Sequence, residues 1–151
     1  MNLSRSSQYA IRALAYLAER EPGQLSPVRQ VAARVGIPLP FLNKIISRLS
    51  QQGMITTRRG PNGGAMLACP PDRLTIGDVV TALDGPLCTD QCYLGLHECS
   101  EAHPCPVHES WLAVRLELER SLHMKTFGDL SRAGRKRLRS KQQGATRRRG
   151  A

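Results

Sequence analysis

The sequence lacks any long uninterrupted run of apolar residues, and its N-terminal segment, residues 1–20, carries charges throughout. A transmembrane helix needs about 20 predominantly apolar residues, and a secretory signal needs an uninterrupted apolar stretch behind its charged start. We therefore expect no membrane span and no secretory signal, and we expect the protein to act in the cytoplasm.

Catalytic patterns are also missing. The sequence shows no Ser/His/Asp set, no paired carboxylates, no phosphate-binding glycine loop and no internal repeat. An enzyme is therefore not expected. With 151 residues, the chain can bury one core of ordinary size, which predicts one compact domain with appendages.

Acidic residues are absent from the C-terminal segment, residues 132–151, which holds nine Arg and Lys. Residues 1–60 hold nine bases and two acids, a net charge of +7, whereas residues 61–131 hold four bases and ten acids, a net charge of −6. A basic half beside an acidic middle predicts a polyanion-binding module joined to a part with another role. Residues 132–151 also have almost no large apolar side chains, so we expect a disordered basic tail that can add salt-sensitive DNA affinity.

A helix-turn-helix is predicted within residues 1–52. Helical apolar spacing covers residues 4–19, and Ser26 followed by proline is typical of a helix start with serine as N-cap. That second helix stops at Gly36, two prolines make a turn over residues 37–40, and a third helix runs from there to Gln52. Two short helices joined by a tight turn are typical of DNA-binding folds.

A wing is predicted to follow. Residues 54–57 and 65–69 have strand character, and the segment between them combines turn chemistry with two arginines. The predicted fold class is therefore mainly α with a small β-hairpin. It comprises a winged helix-turn-helix domain over residues 1–85 and a long dimerisation helix with a short turn over residues 109–131.

The candidate DNA-binding residues lie on the third helix and in the wing: Pro40, Asn43, Lys44, Ser47, Arg48, Arg58 and Arg59. Asn43 can pair with adenine through two hydrogen bonds, although a solvated helix residue is equally compatible with its position, and Lys44 and Arg48 suit phosphates. Arg58 and Arg59 can enter a minor groove or clamp a phosphate. Protein docking is the alternative use of a winged helix, and the basic wing disfavours it.

Cysteines cluster in the segment over residues 86–108. Five cysteines without an export signal argue against a disulfide framework. Cys92, Cys99 and Cys105 are separated by six and five residues, and His108 follows three residues later, which gives four soft or borderline ligands for zinc or iron–sulfur. The spacings exceed those of common zinc knuckles and favour an iron–sulfur cluster.

Three further cysteine and histidine residues are not expected to bind metal. Cys69 is expected to be a small buried hydrophobe, and His97 and His103 are expected to be solvated.

Two alternatives to an iron–sulfur regulator stay open. One is a zinc-stabilised regulator, and the other is a cluster-free thiol switch that uses Cys88 and Cys92.

The long helix from residue 109 to about residue 124 carries a broad apolar stripe, which predicts packing against the same helix of a second copy. Such a homodimer places two recognition helices about one DNA turn apart on a pseudo-palindromic double-stranded operator.

Residues 1 to about 130 resemble the Rrf2 family of transcription regulators. The resemblance is carried by Met1-Asn2-Leu3-Ser4, Tyr9-Ala10, Phe41-Leu42 with Leu49, Arg59-Gly60-Pro61-Asn62-Gly63-Gly64, and the three spaced cysteines closing on Cys105-Pro106-Val107-His108 with Trp111. It implies a regulator, expected to be a repressor, that senses redox state, iron–sulfur status or nitric oxide. It also implies Cys92, Cys99, Cys105 and His108 as ligands of a 2Fe-2S cluster.

Three departures from the family pattern limit what carries over. Six residues separate Cys92 from Cys99, where the family usually has five. Gln8 stands where nitric-oxide-sensing members have an aspartate ligand to the partner's 4Fe-4S cluster, so that arrangement is disfavoured while a 4Fe-4S cluster on three cysteines stays possible. Asn43 stands where some members choose their operator class with a glutamate, so the operator sequence is not transferable.

Overall fold

The computed structural model describes residues 3–86, 92, 94–96 and 99–134. Its helices and strands are α1 (Arg5–Ala18), α2 (Val28–Val35), α3 (Leu39–Gln51), β1 (Ile55–Arg58), β2 (Gly64–Leu67), a 3₁₀ turn (Pro71–Arg73), α4 (Ile76–Asp84) and α5 (His108–Met124), and residues 127–134 are helical as well. β1 and β2 pair antiparallel, with Ile55 opposite Leu67 and Arg58 opposite Gly64. The predicted fold class, mainly helical with one hairpin, is confirmed.

Side-chain caps fix the starts of α1 and α4. The Ser4 hydroxyl accepts a hydrogen bond from the Ser7 amide at 3.1 Å, and Ser4 itself donates to the carboxylate of Asp84 at the end of α4. Thr75 and Asp78 form a capping box at the start of α4, the Thr-x-x-Asp spacing of which is visible in the sequence. These bonds satisfy amides that have no partner inside a helix.

The start of α2 differs from the prediction. Pro27, not Ser26, occupies the N-cap position, and it makes no side-chain cap. Ser26 instead pairs with Ala65 of β2 through two backbone hydrogen bonds of 2.9 Å. Gly64 permits this approach, because a Cβ there would lie 2.3 Å from the Ser26 carbonyl oxygen. The chain entering α2 therefore acts as a third strand at the edge of the wing.

The recognition helix α3 buries Leu42, Ile45, Ile46 and Leu49 in the core. Phe41 is not part of this buried face: it is 42% exposed and contacts Tyr9 edge-on, with ring centroids 5.6 Å apart. Because each residue of a helix turns the side chain by about 100°, Phe41 points away from the direction that its neighbour Leu42 takes.

α5 and the segment after it pack back on the winged domain. The His123 ring lies over Gly77 of α4, where a Cβ would come within 2.5 Å of the ring. Phe127 is fully buried in the main core, and Thr126 pairs with Thr75 in an isolated bridge. The domain boundaries proposed above remain a prediction. Of the helices that the structure describes, none has the length and apolar character needed to span a bilayer.

Asp129 caps this last helical segment. Its carboxylate accepts hydrogen bonds from the Thr126 amide at 3.0 Å, from Arg132 at 2.8 Å and from the Thr126 hydroxyl at 3.0 Å. Led by the backbone bond, these interactions lower the pKa of Asp129 from 3.8 to about 2. Arg132 also donates to Asp72 at 2.8 Å, so its guanidinium links the helical segment over residues 127–134 to the 3₁₀ turn.

Replacing this carboxylate should change how stability depends on pH. Because the folded pKa lies below the value for a free carboxyl, Asp129 stabilises the fold fully above about pH 4, and this contribution is lost as pH falls from about 4 to about 2. We expect the gap in free energy of unfolding between the wild type and Asp129→Asn to shrink across that window in urea titrations. Glu21→Gln, at an exposed carboxylate, is the control; a gap that does not change with pH would contradict the assignment.

Candidate nucleic-acid interface and cysteine-lined cavity

A surface groove of about 880 Å³ lies between the outer face of α3, the start of α2 and the wing. Side chains from all three elements line it, among them Arg29 of α2, Asn43, Ser47 and Gln51 of α3, and Arg58 and Arg59 of the wing. The structure thus brings together four residues predicted to contact DNA: Asn43, Ser47, Arg58 and Arg59.

The groove follows from the amphipathic pattern of α3. Its apolar residues are turned into the core, which leaves Asn43 and Ser47 exposed one helical turn apart on the opposite face. These short polar side chains line the groove together with arginines of α2 and of the wing. A surface of this kind can offer hydrogen bonds to base edges while cations grip the phosphates.

Glycines shape the wall that the wing contributes. Gly60 has φ +105, and a Cβ at Gly63 would lie 2.1 Å from the Arg58 carbonyl oxygen. Only glycine permits this turn without moving the backbone. Arg58 and Arg59 are exposed beside it, and no carboxylate is present among the described residues that line the groove. Their charges are therefore available to a polyanion.

Three predicted DNA-binding residues lie outside the groove lining. Pro40 and Lys44 are exposed on α3. Arg48 donates a hydrogen bond of 3.0 Å to the carbonyl oxygen of Leu83, near the end of α4. That bond satisfies a carbonyl left open at a helix terminus and ties α3 to α4. Sequence patterns could not reveal it, because the partner is 35 residues away.

The sequence prediction missed several residues that line the groove, among them Arg29 and Gln51. Arg29 lies in the first turn of α2, and Gln51 is the last residue of α3. Helical periodicity marks Arg29 as exposed, since Val31 and Ala32 take the buried positions of α2. It does not show that Arg29 faces the wing, which depends on how α2 and β2 are joined.

A separate cavity of about 200 Å³ is lined by all four predicted metal ligands: Cys92, Cys99, Cys105 and His108, together with Leu96, His103, Pro104 and Pro106. The Sγ of Cys99 lies 3.3 Å from Nδ1 of His108. None of the three cysteines is in a disulfide. Cys88 and His97 lie outside the described residues.

His108 is held by the start of α5. It is the first residue of that helix, its amide donates to the Cys105 carbonyl at 2.9 Å, and its side chain is 8% exposed. Its Nε2 is buried, with no hydrogen-bond partner among the described residues. A buried polar atom of this kind calls for a partner beyond the described residues, and a bound metal is one such partner.

The donor set fits a metal centre in its chemistry. Three thiols and an imidazole around one cavity suit iron–sulfur or zinc ligation. Among the described residues, however, no three His, Cys, Asp or Glu side chains are already grouped so that they could hold a metal ion. Ligand shells commonly close only when the metal binds, so side-chain rotation within the loop is part of the fit.

Cys69 and Gln8 stand apart from this cavity. Cys69 was expected to be buried but is half-buried, in the wall of another cavity of about 270 Å³ with Leu17 and Leu67. Gln8 is exposed on α1, and its side-chain amide donates to the Leu3 carbonyl at 2.8 Å.

Comparison with known proteins shows which family the chain belongs to. The family model described as "Rrf2: Iron-dependent Transcriptional regulator" matches residues 3–133. The chain belongs to the Rrf2 family. It is therefore a DNA-binding transcription regulator and not an enzyme, as predicted.

Relatives of this Rrf2 regulator carry related names. An HTH-type transcriptional regulator of Aquifex aeolicus is 36% identical over 132 residues, which cover 86% of this chain and 91% of that protein. The regulator IscR of Escherichia coli O1:K1 / APEC is 28% identical over 130 residues, covering 86% and 80%.

Solved structures share the fold. CymR, the global cysteine regulator of B. subtilis, superposes with a TM-score of 0.75 at 23% identity, covering 88% of this chain and 98% of its own. IscR of T. potens superposes with a TM-score of 0.70 at 22% identity, covering 89% and 88%.

Arg29 provides a test of the groove. We expect Arg29→Ala to weaken binding to all DNA sequences alike and to reduce the slope of log K against log salt by about 0.9, because one phosphate contact is lost. Fluorescence anisotropy at several salt concentrations, on a fragment that the wild type selects from random DNA, measures both quantities. Arg34→Ala is the matched control, since Arg34 is exposed on the same helix outside the groove. Equal slopes for the two variants would remove Arg29 from the interface.

Proposed function

We propose that this Rrf2 regulator is a homodimeric repressor whose DNA affinity is controlled by an iron–sulfur cluster on Cys92, Cys99, Cys105 and His108. One observation carries the proposal: four side chains drawn from one short loop and the helix start that follows it line a single cavity. The family description as iron-dependent and the likeness to IscR support it. A 2Fe-2S cluster suits three thiolates and one imidazole, and a 4Fe-4S cluster on the three cysteines is the alternative.

The cluster, when bound, supplies one-electron redox chemistry, and its loss or damage is the signal of redox state, iron–sulfur status or nitric oxide. Within the chain, His108 joins the cysteine-containing loop to α5. α5 packs on α4 at Gly77, and α4 is bonded to Arg48 of the recognition helix. These contacts form a continuous physical connection from the cavity to the DNA-binding groove.

DNA contact is assigned to the groove and its surroundings. Asn43 and Ser47 face base edges, and Arg58, Arg59 and Arg29 contact the backbone or the minor groove. Pro40 and Lys44, exposed on the same helix, are placed at its border. Arg48 is exposed on this helix as well, and its hydrogen bond to Leu83 leaves other guanidinium N–H groups for a phosphate.

The exposed side of α5 supports the dimer. Val114 is 59% exposed and Leu116 50%, and an apolar surface groove runs along Ala113, Val114, Glu117, Leu118 and Ser121. A helix that keeps apolar side chains in water along several turns is stabilised when a second helix covers them. A second copy would bring two recognition helices to a pseudo-palindromic operator in the cytoplasm.

Replacing the three thiols tests the cluster. We expect the triple variant Cys92→Ser, Cys99→Ser, Cys105→Ser, purified without oxygen, to lose iron, sulfide and visible absorption, and to change its affinity for the selected DNA by at least about tenfold, or about 1.4 kcal/mol. Cys69→Ser, at a cysteine outside the cavity, should match the wild type in both respects.

The other outcomes separate the rival functions. A colourless wild type that holds zinc would indicate a zinc-stabilised regulator. A metal-free wild type whose peroxide response disappears in Cys88→Ser would indicate a thiol switch. Equal DNA affinity of the wild type and the triple variant would end the sensing proposal.

Charging the apolar groove of α5 tests the dimer. We expect the double variant Val114→Glu, Leu118→Glu to be monomeric in sedimentation velocity and to bind the selected DNA more weakly, because four carboxylates would face one another across the interface. Arg120→Glu is the control, since Arg120 is exposed on the same helix outside the groove. A double variant that stays dimeric would place the interface elsewhere.

A further inference from the structure

The cysteine-lined cavity contains one donor more than the predicted set. His103 lines it together with Cys92, Cys99, Cys105 and His108. Sequence reasoning assigned His103 to solvent, because a loop histidine without a fixed direction is usually solvated. The structure confirms that it is exposed but also places it on the wall of the cavity.

The two histidines on this wall are held in opposite ways. His108 is buried at the start of a helix, and its Nδ1 already lies 3.3 Å from Cys99. His103 lies in a turn closed by its amide donating to the Ser100 carbonyl at 3.3 Å, and Pro104 fixes the backbone after it. Its main chain is therefore anchored beside the cavity while its exposed ring keeps rotational freedom.

We propose that His103 is a reserve nitrogen ligand that takes the place of His108 when His108 does not coordinate the metal centre. This inference rests on the proposed cluster. Both side chains offer the same neutral imidazole nitrogen, so one iron–nitrogen bond replaces another without any change in charge or oxidation state. His103 precedes Cys105 by two residues, so binding by either histidine keeps the ligands within one short loop.

With such a reserve ligand, movement of His108 and loss of the cluster become two separate events. Movement of His108 would release the start of α5, and the cluster would stay bound through three thiolates and the other imidazole. The regulator could then change its DNA affinity without losing iron, whereas a site with one histidine would lose its only nitrogen ligand at the same step.

Pulsed EPR of the dithionite-reduced protein tests this inference, because it detects ¹⁴N nuclei bound to the cluster. We expect His108→Ala to keep a strong ¹⁴N coupling with changed parameters, and the double variant His103→Ala, His108→Ala to lose it. Cluster loss in air should be at least about tenfold faster in the double variant than in His108→Ala. The matched control, His123→Ala with His108→Ala, removes a histidine outside the cavity and should behave as His108→Ala alone.

The outcomes distinguish this inference from the proposed function. A wild type without iron and sulfide overturns both. A wild type with a cluster whose nitrogen coupling vanishes in His108→Ala, or persists in the double variant, overturns the reserve ligand and leaves the cluster proposal intact. Should His108→Ala fail to fold by circular dichroism, His108→Asn serves instead, because it keeps a polar side chain at the helix start.

Discussion

The pairing of Ser26 with Ala65 sets the shape of the groove that we propose faces DNA. A two-stranded hairpin is marginally stable alone, and the two backbone hydrogen bonds of 2.9 Å add a third strand-like segment to it. The same bonds fix the distance between the start of α2 and the wing, which both contribute arginines to the groove lining. Gly64 is required because its missing Cβ makes room for the Ser26 carbonyl. The glycines of the wing therefore serve this contact as well as the turn.

α4 is the element through which the rest of the molecule is joined. Its last residue, Asp84, holds the N-cap Ser4 of α1, the Leu83 carbonyl accepts from Arg48 of α3, and Gly77 receives the His123 ring of α5. One short helix thus contacts the first helix, the recognition helix and the proposed dimer helix. Each contact is made by polar groups or close backbone approach, so its geometry is more specific than that of apolar packing alone.

Local signals predicted much of this architecture, and long-range contacts account for the rest. The amphipathic helices and the glycine-rich wing depend on neighbours in sequence, and they appear where expected. Ser26 was misassigned because the edge of β2, far along the chain, captures its backbone groups. The hydrogen bond from Arg48 to Leu83 could not be predicted because the partner lies in another helix, and the position of the exposed His103 on the cavity wall could not be predicted because no local pattern shows which loop side chains share a cavity.

Coupling between the proposed cluster and DNA has one physical requirement. A ligand shifts an equilibrium only to the extent that it binds two conformations with different affinity. Of the four proposed ligands, His108 alone belongs to a helix, so it is the ligand through which coordination can favour one position of α5. The close contact of His123 with Gly77 restricts how α5 can move along α4. In the proposed mechanism, a pull at the first turn of α5 would therefore be transmitted to α4 as displacement of a packed element and, through the Leu83 carbonyl, to the helix that carries Asn43 and Ser47.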